Sequence, residues 1–321
     1  MANLMIEGQV MSPATASFSC GIYQPVFMQS LRPYLDPGFL ELDWQHNPTP
    51  ALRELALHEH IYNSGVYFDH DLTGLLSPKF FSKTALTSSE VKEWIARNPG
   101  HELYCITGRP FVPYIAYNGI ERAQRNRSLP EFEAKLRRLC AEIGYRLPRE
   151  LGRQTNRDLL LCNYFVGTRS FWEKWSRDIV LPILEIGRKK SPAFRDIFAP
   201  TPYRSPTPVH LVVFFYERIL SYYIQTKGID AAIFPFSHEQ ILRVGYHPLM
   251  LDYLKRTMPW VDEIDRRGAW RKADRARLGL DYAALLEKIS VVGHEAETFD
   301  PSNFDLPSRK PPKDSAARCI N

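Results

Sequence analysis

Two pairs of ionisable residues stand where their neighbours alone do not explain them. Asp69 and Asp71 flank His70 within the β-prone run Val66 to Leu76. Two carboxylates one residue apart at a strand end can both reach a divalent cation bridging a diphosphate, because hard cations take oxygen ligands. A solvated strand end accounts for the same pair. Glu217 and Arg218 lie in an apolar helical run among Val212, Val213, Phe214, Phe215, Ile219 and Leu220. Burying charge is costly unless it is paired, so this pair needs a structural or a functional partner. His58, His60 and His70 fall nearby in sequence, but His58 and His60 point about 200° apart around a helix and do not form one ligand set.

Other chemistries lose support by omission. There is no G-x-G-x-x-G, G-x-x-x-x-G-K-[ST], H-E-x-x-H or G-x-S-x-G motif. Cys20, Cys105, Cys140, Cys162 and Cys319 are odd in number and never spaced C-x-x-C, which supports neither a disulfide framework nor a structural zinc site. The 321 residues are 44% hydrophobic and 24% charged, a globular composition. The longest apolar stretch, Val209 to Tyr216, is far too short to span a bilayer, and Met1 to Ser19 does not read as a signal peptide. The cytoplasm is the expected compartment. Ten basic residues against six acids lie between Glu121 and Asp158. This suits a solvated helix surface, a phosphate-rich ligand or peripheral contact with an anionic membrane, and no nucleic-acid-reading motif accompanies it.

These residues need elements to hold them. Strands are expected near Phe18–Tyr23, Val66–Leu76, His101–Thr107, Leu159–Val166 and Ile229–Phe236. A helix from Pro50 to Tyr62 stops at Asn63-Ser64-Gly65, and Thr87-Ser88-Ser89-Glu90 is a capping box opening another. Ser170-x-x-Glu173 opens a capped aromatic helix, bent if anywhere at Pro182, and the apolar helix Val209 to Lys227 stops at Gly228. The Pro-rich stretch Ser191 to Pro208 suggests a mobile loop over a site. Helices at Pro248–Ile264 and Tyr282–Ile289 flank a charged connector, Asp265 to Arg277. Alternating strands and helices predict a three-layer α/β domain at 18–240, a C-terminal helical extension at 241–294 and a disordered tail at 295–321. Ligands in such sheets bind beyond the carboxyl ends of the strands.

Four segments in order carry a resemblance: Arg53-Glu54-Leu55-Ala56-Leu57; Tyr67 to Phe80 with Gly74-Leu75-Leu76-Ser77-Pro78-Lys79-Phe80; Asn163-Tyr164-Phe165-Val166 with Phe171-Trp172; and Phe214 to Leu220 with Glu217-Arg218. Over residues 18 to 236 the chain resembles bacterial capsular and lipopolysaccharide glycosyltransferase-like proteins. The resemblance implies a GT-A-like, Rossmann-like nucleotide-sugar fold, a nucleotide-sugar donor and a glycan acceptor. It implies that Tyr23 and Gln24 contact the base or ribose, that Lys79 and Lys83 neutralise the diphosphate and that Asn163 bonds sugar hydroxyls. Glu217 would then be the acceptor-side base or a sugar-binding carboxylate, with Arg218 as its partner or a phosphate ligand. The Asp69-His70-Asp71 segment departs from the family's pattern, so the expectation that Asp69 and Asp71 hold Mn²⁺ or Mg²⁺ comes from their spacing and not from the resemblance. A catalytically inactive, transferase-like scaffold of a glycan assembly system is the alternative reading.

Overall fold

The computed structural model describes residues 18–125, 129, 131–201, 208–244 and 247–295. Six strands form one mixed sheet: β1 (Cys20–Val26), β2 (Leu40–Asp43), β3 (Leu72–Leu75), β4 (Leu103–Cys105), β5 (Phe165–Thr168) and β6 (Ala231–Ile233). Their spatial order is β2-β1-β3-β5-β4-β6, and every neighbouring pair is parallel except the two that include β5. The strands are covered on both faces, so side chains alternate between two apolar layers instead of between core and water. Leu103, Cys105 and Phe165 enter one layer, while Tyr104 and Val166 enter the other.

The first layer contains α1 (Arg53–Ser64), α4 (Gly119–Gln124), α5 (Phe132–Glu142), α6 (Arg169–Trp175), α7 (Leu181–Lys189) and α8 (Leu211–Lys227). The second contains α3 (Ser88–Arg97), reached through the short α2 (Phe80–Thr84), and α9 (His238–Arg243), α10 (Pro248–Arg267) and α11 (Lys272–Glu295). The C-terminal helices thus share one apolar cluster with Ile22, Leu76 and Ile115. The architecture is three-layer α/β, as the alternation of elements predicts.

Local signals place the helices well. The Thr87 side chain accepts from Glu90 N–H while Glu90 returns to Thr87 N–H, completing the capping box of α3. The residue α8 needs at its carboxyl end is one that tolerates a left-handed backbone, and Gly228 supplies it with φ 61°. Between α6 and α7 the helix passes through a π turn at Ser176–Val180. Pro182 has no N–H for the carbonyl of residue 178, and the wider turn accommodates that missing bond.

Four expectations are corrected, and one strand was not expected. Val66–Phe68 is a 3₁₀ turn, and strand β3 begins only at Leu72, because Gly65 at φ 78° turns the chain and the Asp69-His70-Asp71 segment belongs to the loop entering the sheet. Strand β5 begins at Phe165 and not at Leu159, because Cys162 and Asn163, at φ 69° and 48°, turn the chain; the apolar run before them is buried without pairing in the sheet. Strand β2 has no clear signal in its Leu-Glu-Leu-Asp sequence, since only Leu42 is buried at this edge position. The aromatic helix is capped by Thr168, whose side chain accepts from Phe171 N–H, not by Ser170. Most of the charged connector is helical, because Arg271–Asp274 and Arg277–Asp281 pair at helical spacing and leave only a short break after Gly268. Around Ser191–Pro208 the flanks are anchored: Phe194 and Ile197 are buried, and Pro200 and His210 form a β-bridge. The central residues 202–207 of the expected lid, and 296–321 of the expected tail, lie outside the described residues.

Close packing at the sheet centre yields a first prediction. A Cβ on Gly74 would lie 2.9 Å from the Phe165 carbonyl oxygen and 2.8 Å from Val166 Cγ2. The carbonyl is ladder backbone and has little freedom to move. Gly74→Ala should therefore destabilise the protein by about 3 kcal/mol in urea unfolding, and a loss below ~1 kcal/mol would contradict the central position of β3.

Candidate functional site

The carboxyl edge of the parallel strands collects a group of polar side chains, Asn163 and Thr107 among them fully buried. Helix α1 starts at this edge after β2, and α8 starts there before β6. The two starts are tied where His210 N–H donates to the Ala51 carbonyl at 3.1 Å. The chain leaves β3 into α2, leaves β4 into Thr107-Gly108-Arg109, and enters β5 through Leu161-Cys162-Asn163-Tyr164. Because β5 is antiparallel, its entry lies beside the other strands' exits. Arg109 N–H donates to the Lys83 carbonyl and Gly108 N–H to the Leu161 carbonyl, knitting these turns together at 2.8 and 3.1 Å.

Four of the seven non-glycine residues with positive φ among the described residues lie here: Arg53, Arg109, Cys162 and Asn163. Backbone strain of this kind persists only where surrounding structure enforces it, and it concentrates at working sites. Gly108 is required at its position, since a Cβ there would sit 2.7 Å from Cys162 Sγ.

The side chains form one connected group. Lys83 Nζ donates to Cys162 Sγ at 3.3 Å and lies over the Tyr164 ring at 5.7 Å, while Tyr164 and Ser77 hydroxyls share a 2.5 Å hydrogen bond. Burial works against the Lys83 ammonium, but Cys162, Tyr164 and Glu217 outweigh it and raise its pKa. Glu54, in the first turn of α1, lies within electrostatic reach of Glu217 on α8, and its Oε1 is sealed with no hydrogen-bond partner. Burial first, and then the neighbouring Glu217, push the Glu54 carboxyl up to about 8. Arg218 bonds Glu217 and donates to the Phe214 carbonyl at 3.1 Å, leaving its Nε sealed without a partner. Arg122, on α4, is depressed first by burial and further by the guanidiniums of Arg109, Arg218 and Arg125, against partial relief from Tyr282. Asn163 is 1% exposed, and neither its amide nitrogen nor its oxygen has a partner. Behind the carboxylates, Trp175 Nε1 donates to Tyr216 Oη at 2.8 Å, and Tyr216 bonds His58. Burial drives His58 down to about 3, so it remains a neutral core histidine.

Of the residues expected from sequence, Lys83, Asn163, Glu217 and Arg218 converge on this edge, with Lys79 at the N-cap of α2 one turn before Lys83. Others do not. Asp69 and Asp71 precede β3 and so lie at its amino end; Asp71 accepts from the backbone and hydroxyl of Ser19, both at 2.9 Å. The expectation that they face the carboxyl-edge cleft is thereby corrected: their turn lies at the other end of the strand. These carboxylates do not fit a cation bridging a diphosphate at the opposite edge. Gln24 is 2% exposed, and its amide spans the Ser77 carbonyl and the Asp36 N–H at 3.1 Å each, tying loops together instead of meeting a nucleotide. Tyr23 faces His70, with ring centroids 6.3 Å apart, and the Asp69 carboxylate. Sequence patterning does not single out Glu54, Arg109, Arg122 or Cys162. An acid in the first turn of a helix whose neighbours are apolar is the available signal for Glu54.

The basic segment is largely consumed by the fold. Arg153 pairs with Asp265 and stacks 4.7 Å from the Trp270 ring, Arg137 pairs with Glu133, and Arg138 with Asp196. A recess of about 150 Å³ beside Asn118, Glu121 and Arg275 is lined by charges already matched through Glu121–Arg125 and Glu121–Arg275 pairs. No described helix is long and apolar enough to cross a membrane. Comparison with protein-family models, curated proteins and solved structures finds no match for this chain.

Proposed function

We propose that the chain is a glycosyltransferase that moves a sugar from a nucleotide-sugar donor, through a GT-A-like arrangement, to a glycan acceptor. The observation that carries this reading is the meeting of Glu54 and Glu217 with Lys83, Arg109 and Arg218 at the carboxyl edge of the sheet, where open α/β folds bind ligands. Transfer needs one group to take the proton of the acceptor hydroxyl and cations to stabilise the departing diphosphate. Glu217 is suited to the first role. Its side chain is 18% exposed, so water and an acceptor reach it, and Arg218 orients it. Asn163 brings an unsatisfied amide suited to sugar hydroxyls.

The test is release of nucleoside diphosphate from a panel of nucleotide sugars, with oligosaccharide acceptors, by the wild type and Glu217→Gln. The variant should lose turnover by about 10²–10⁴-fold. It should lose only about 1–2 kcal/mol of stability, because the ion pair is partly solvated. A wild type that consumes no donor, or a variant with full turnover, would remove the assignment.

A further inference from the structure

We propose that Cys162 and Lys83 form a peroxide-sensitive modification site, in which oxidation of the thiol joins Cys162 Sγ to Lys83 Nζ through a sulfur–nitrogen bond. The inference is independent of the transferase reading, because its readout is a covalent link within the chain.

Proximity is the first argument. Lys83 Nζ donates to Cys162 Sγ at 3.3 Å, and both residues are partly exposed, so a small oxidant in solvent reaches them. Their backbones are fixed on either side of that contact. Arg109 N–H donates to the Lys83 carbonyl at 2.8 Å, while Gly108 and Ile106 N–H donate to the Leu161 and Tyr164 carbonyls at 3.1 and 2.9 Å, bracketing Cys162. The thiol is confined as well: a Cβ on Gly108 would lie 2.7 Å from Cys162 Sγ and 3.1 Å from its Cβ. What remains free to rotate is the four-carbon Lys83 stem, and that rotation closes the gap. Groups held in this way react as neighbours and not by chance encounter.

The chemistry balances with peroxide as its one co-reactant. The Cys162 thiolate attacks an oxygen of hydrogen peroxide, and the O–O bond breaks. The Lys83 ammonium protonates the departing hydroxide, which leaves as water, so the sulfur becomes a sulfenic acid and Lys83 a neutral amine. The nitrogen lone pair then attacks sulfur, the S–O bond breaks, and a second water carries away one proton from nitrogen. Sulfur has given up two electrons and peroxide has taken them. Sulfenic acids condense with a nitrogen in this manner.

The other cysteines lack this arrangement. Cys105 and Cys140 are buried. Cys20 is partly exposed, but the Lys92 ammonium that acts on it donates to the Gly38 carbonyl at 2.6 Å. Cys319 lies outside the described residues, so the peptide carrying Cys162 is the one to follow. Burial raises the Cys162 thiol above its ordinary range; Lys83 and Arg109 act against this, and Glu217 and Glu54 act with it. The reaction therefore starts from a small thiolate fraction and should quicken as pH rises.

The test treats the full-length chain with hydrogen peroxide, blocks the remaining thiols, and maps peptides by mass spectrometry before and after dithiothreitol. The expected product joins the Lys83 and Cys162 peptides, is two hydrogens lighter than their sum, and separates under the reductant. Lys83→Arg keeps the positive charge but offers no amine, since a guanidinium does not deprotonate. This variant, checked for a cooperative thermal transition, should form no link and should accumulate Cys162 sulfinic acid at least about fivefold over wild type. Sulfinic or sulfonic acid at Cys162 with Lys83 free would overturn the proposal. So would equal over-oxidation in wild type and variant, or an unreacted Cys162 while glutathione in the same tube is oxidised. In a nucleotide-sugar assay, turnover lost on linking and recovered with dithiothreitol is the result expected if Lys83 serves the donor diphosphate. No turnover in the reduced chain would remove the transferase reading and leave the link standing.

Discussion

Glu54→Gln should make the protein more stable than the wild type above pH 8 and flatten its pH dependence between about 4.5 and 8. The Glu54 carboxyl is raised from an ordinary value of 4.5 to about 8 in the folded protein, by burial and by Glu217 across the α1–α8 contact; Lys83 and Arg53 act in the opposite direction. Between those values the folded chain keeps a proton that the unfolded chain has released. The favourable contribution of the neutral carboxyl is therefore complete below pH 4.5 and is lost progressively as pH rises to about 8. A tenfold change in proton affinity corresponds to about 1.4 kcal/mol, and partial access to water reduces the total, so a gain of about 3 kcal/mol is expected at pH 9. Urea unfolding at pH 5, 7 and 9 measures it. Glu217→Gln should move the same step to lower pH by removing the neighbouring charge. Wild-type and Glu54→Gln curves that run parallel across this range would mean that the folded protein does not hold the Glu54 proton.

Trp172→Ala should cost about 3–5 kcal/mol, the range reached when a large aromatic side chain is deleted from a close-packed core. Trp172 is fully buried, packs edge-on to His58 at 5.3 Å and against Phe165 at 5.1 Å, and donates from Nε1 to the Thr73 carbonyl at 2.8 Å. Removing it opens a cavity between α6 and the sheet and withdraws a donor from a buried carbonyl in β3. Trp172→Phe, which fills most of the space but lacks the donor, should fall between wild type and the alanine variant. Chemical denaturation distinguishes these cases, and a loss below ~1 kcal/mol for the alanine variant would show that α6 does not carry the sheet. Because β3 leads towards Lys83 and Asn163 leads into β5, this packing also sets the geometry of the edge cluster.

Much of this architecture is legible from neighbours in the chain. The Thr87–Glu90 box, the apolar helix ending at Gly228 and the near-continuous apolar run through Val166 depend on contacts three or four residues apart, or on burial on both sides of a segment. Such signals survive without tertiary information. Strand ends do not share that advantage. Val66-Tyr67-Phe68 has β-prone residues yet forms a turn, because Gly65 redirects the chain and pairing with β1 begins only at Leu72. That displacement moves Asp69 and Asp71 from one edge of the sheet to the other. Gln24 and Tyr23 depart from expectation for a similar reason: position at a strand terminus says nothing about which backbone groups a side chain will satisfy.

By itself, then, the sequence determined the α/β class, the longer helices such as α1, α3 and α8, and the unusual burial of Glu217 and Arg218, since periodicity and local capping are properties of short segments. Tertiary structure alone decided that Glu217 would lie within reach of Glu54, that Lys83 would lie beside Cys162, and that Arg109 and Arg122 would join them. Glu54 and Glu217 are separated by about half of the chain, and their approach depends on how helices are placed around a sheet with one reversed strand. Electrostatic character depends on such distant neighbours and on exclusion of water, and neither is encoded in the spacing of adjacent residues.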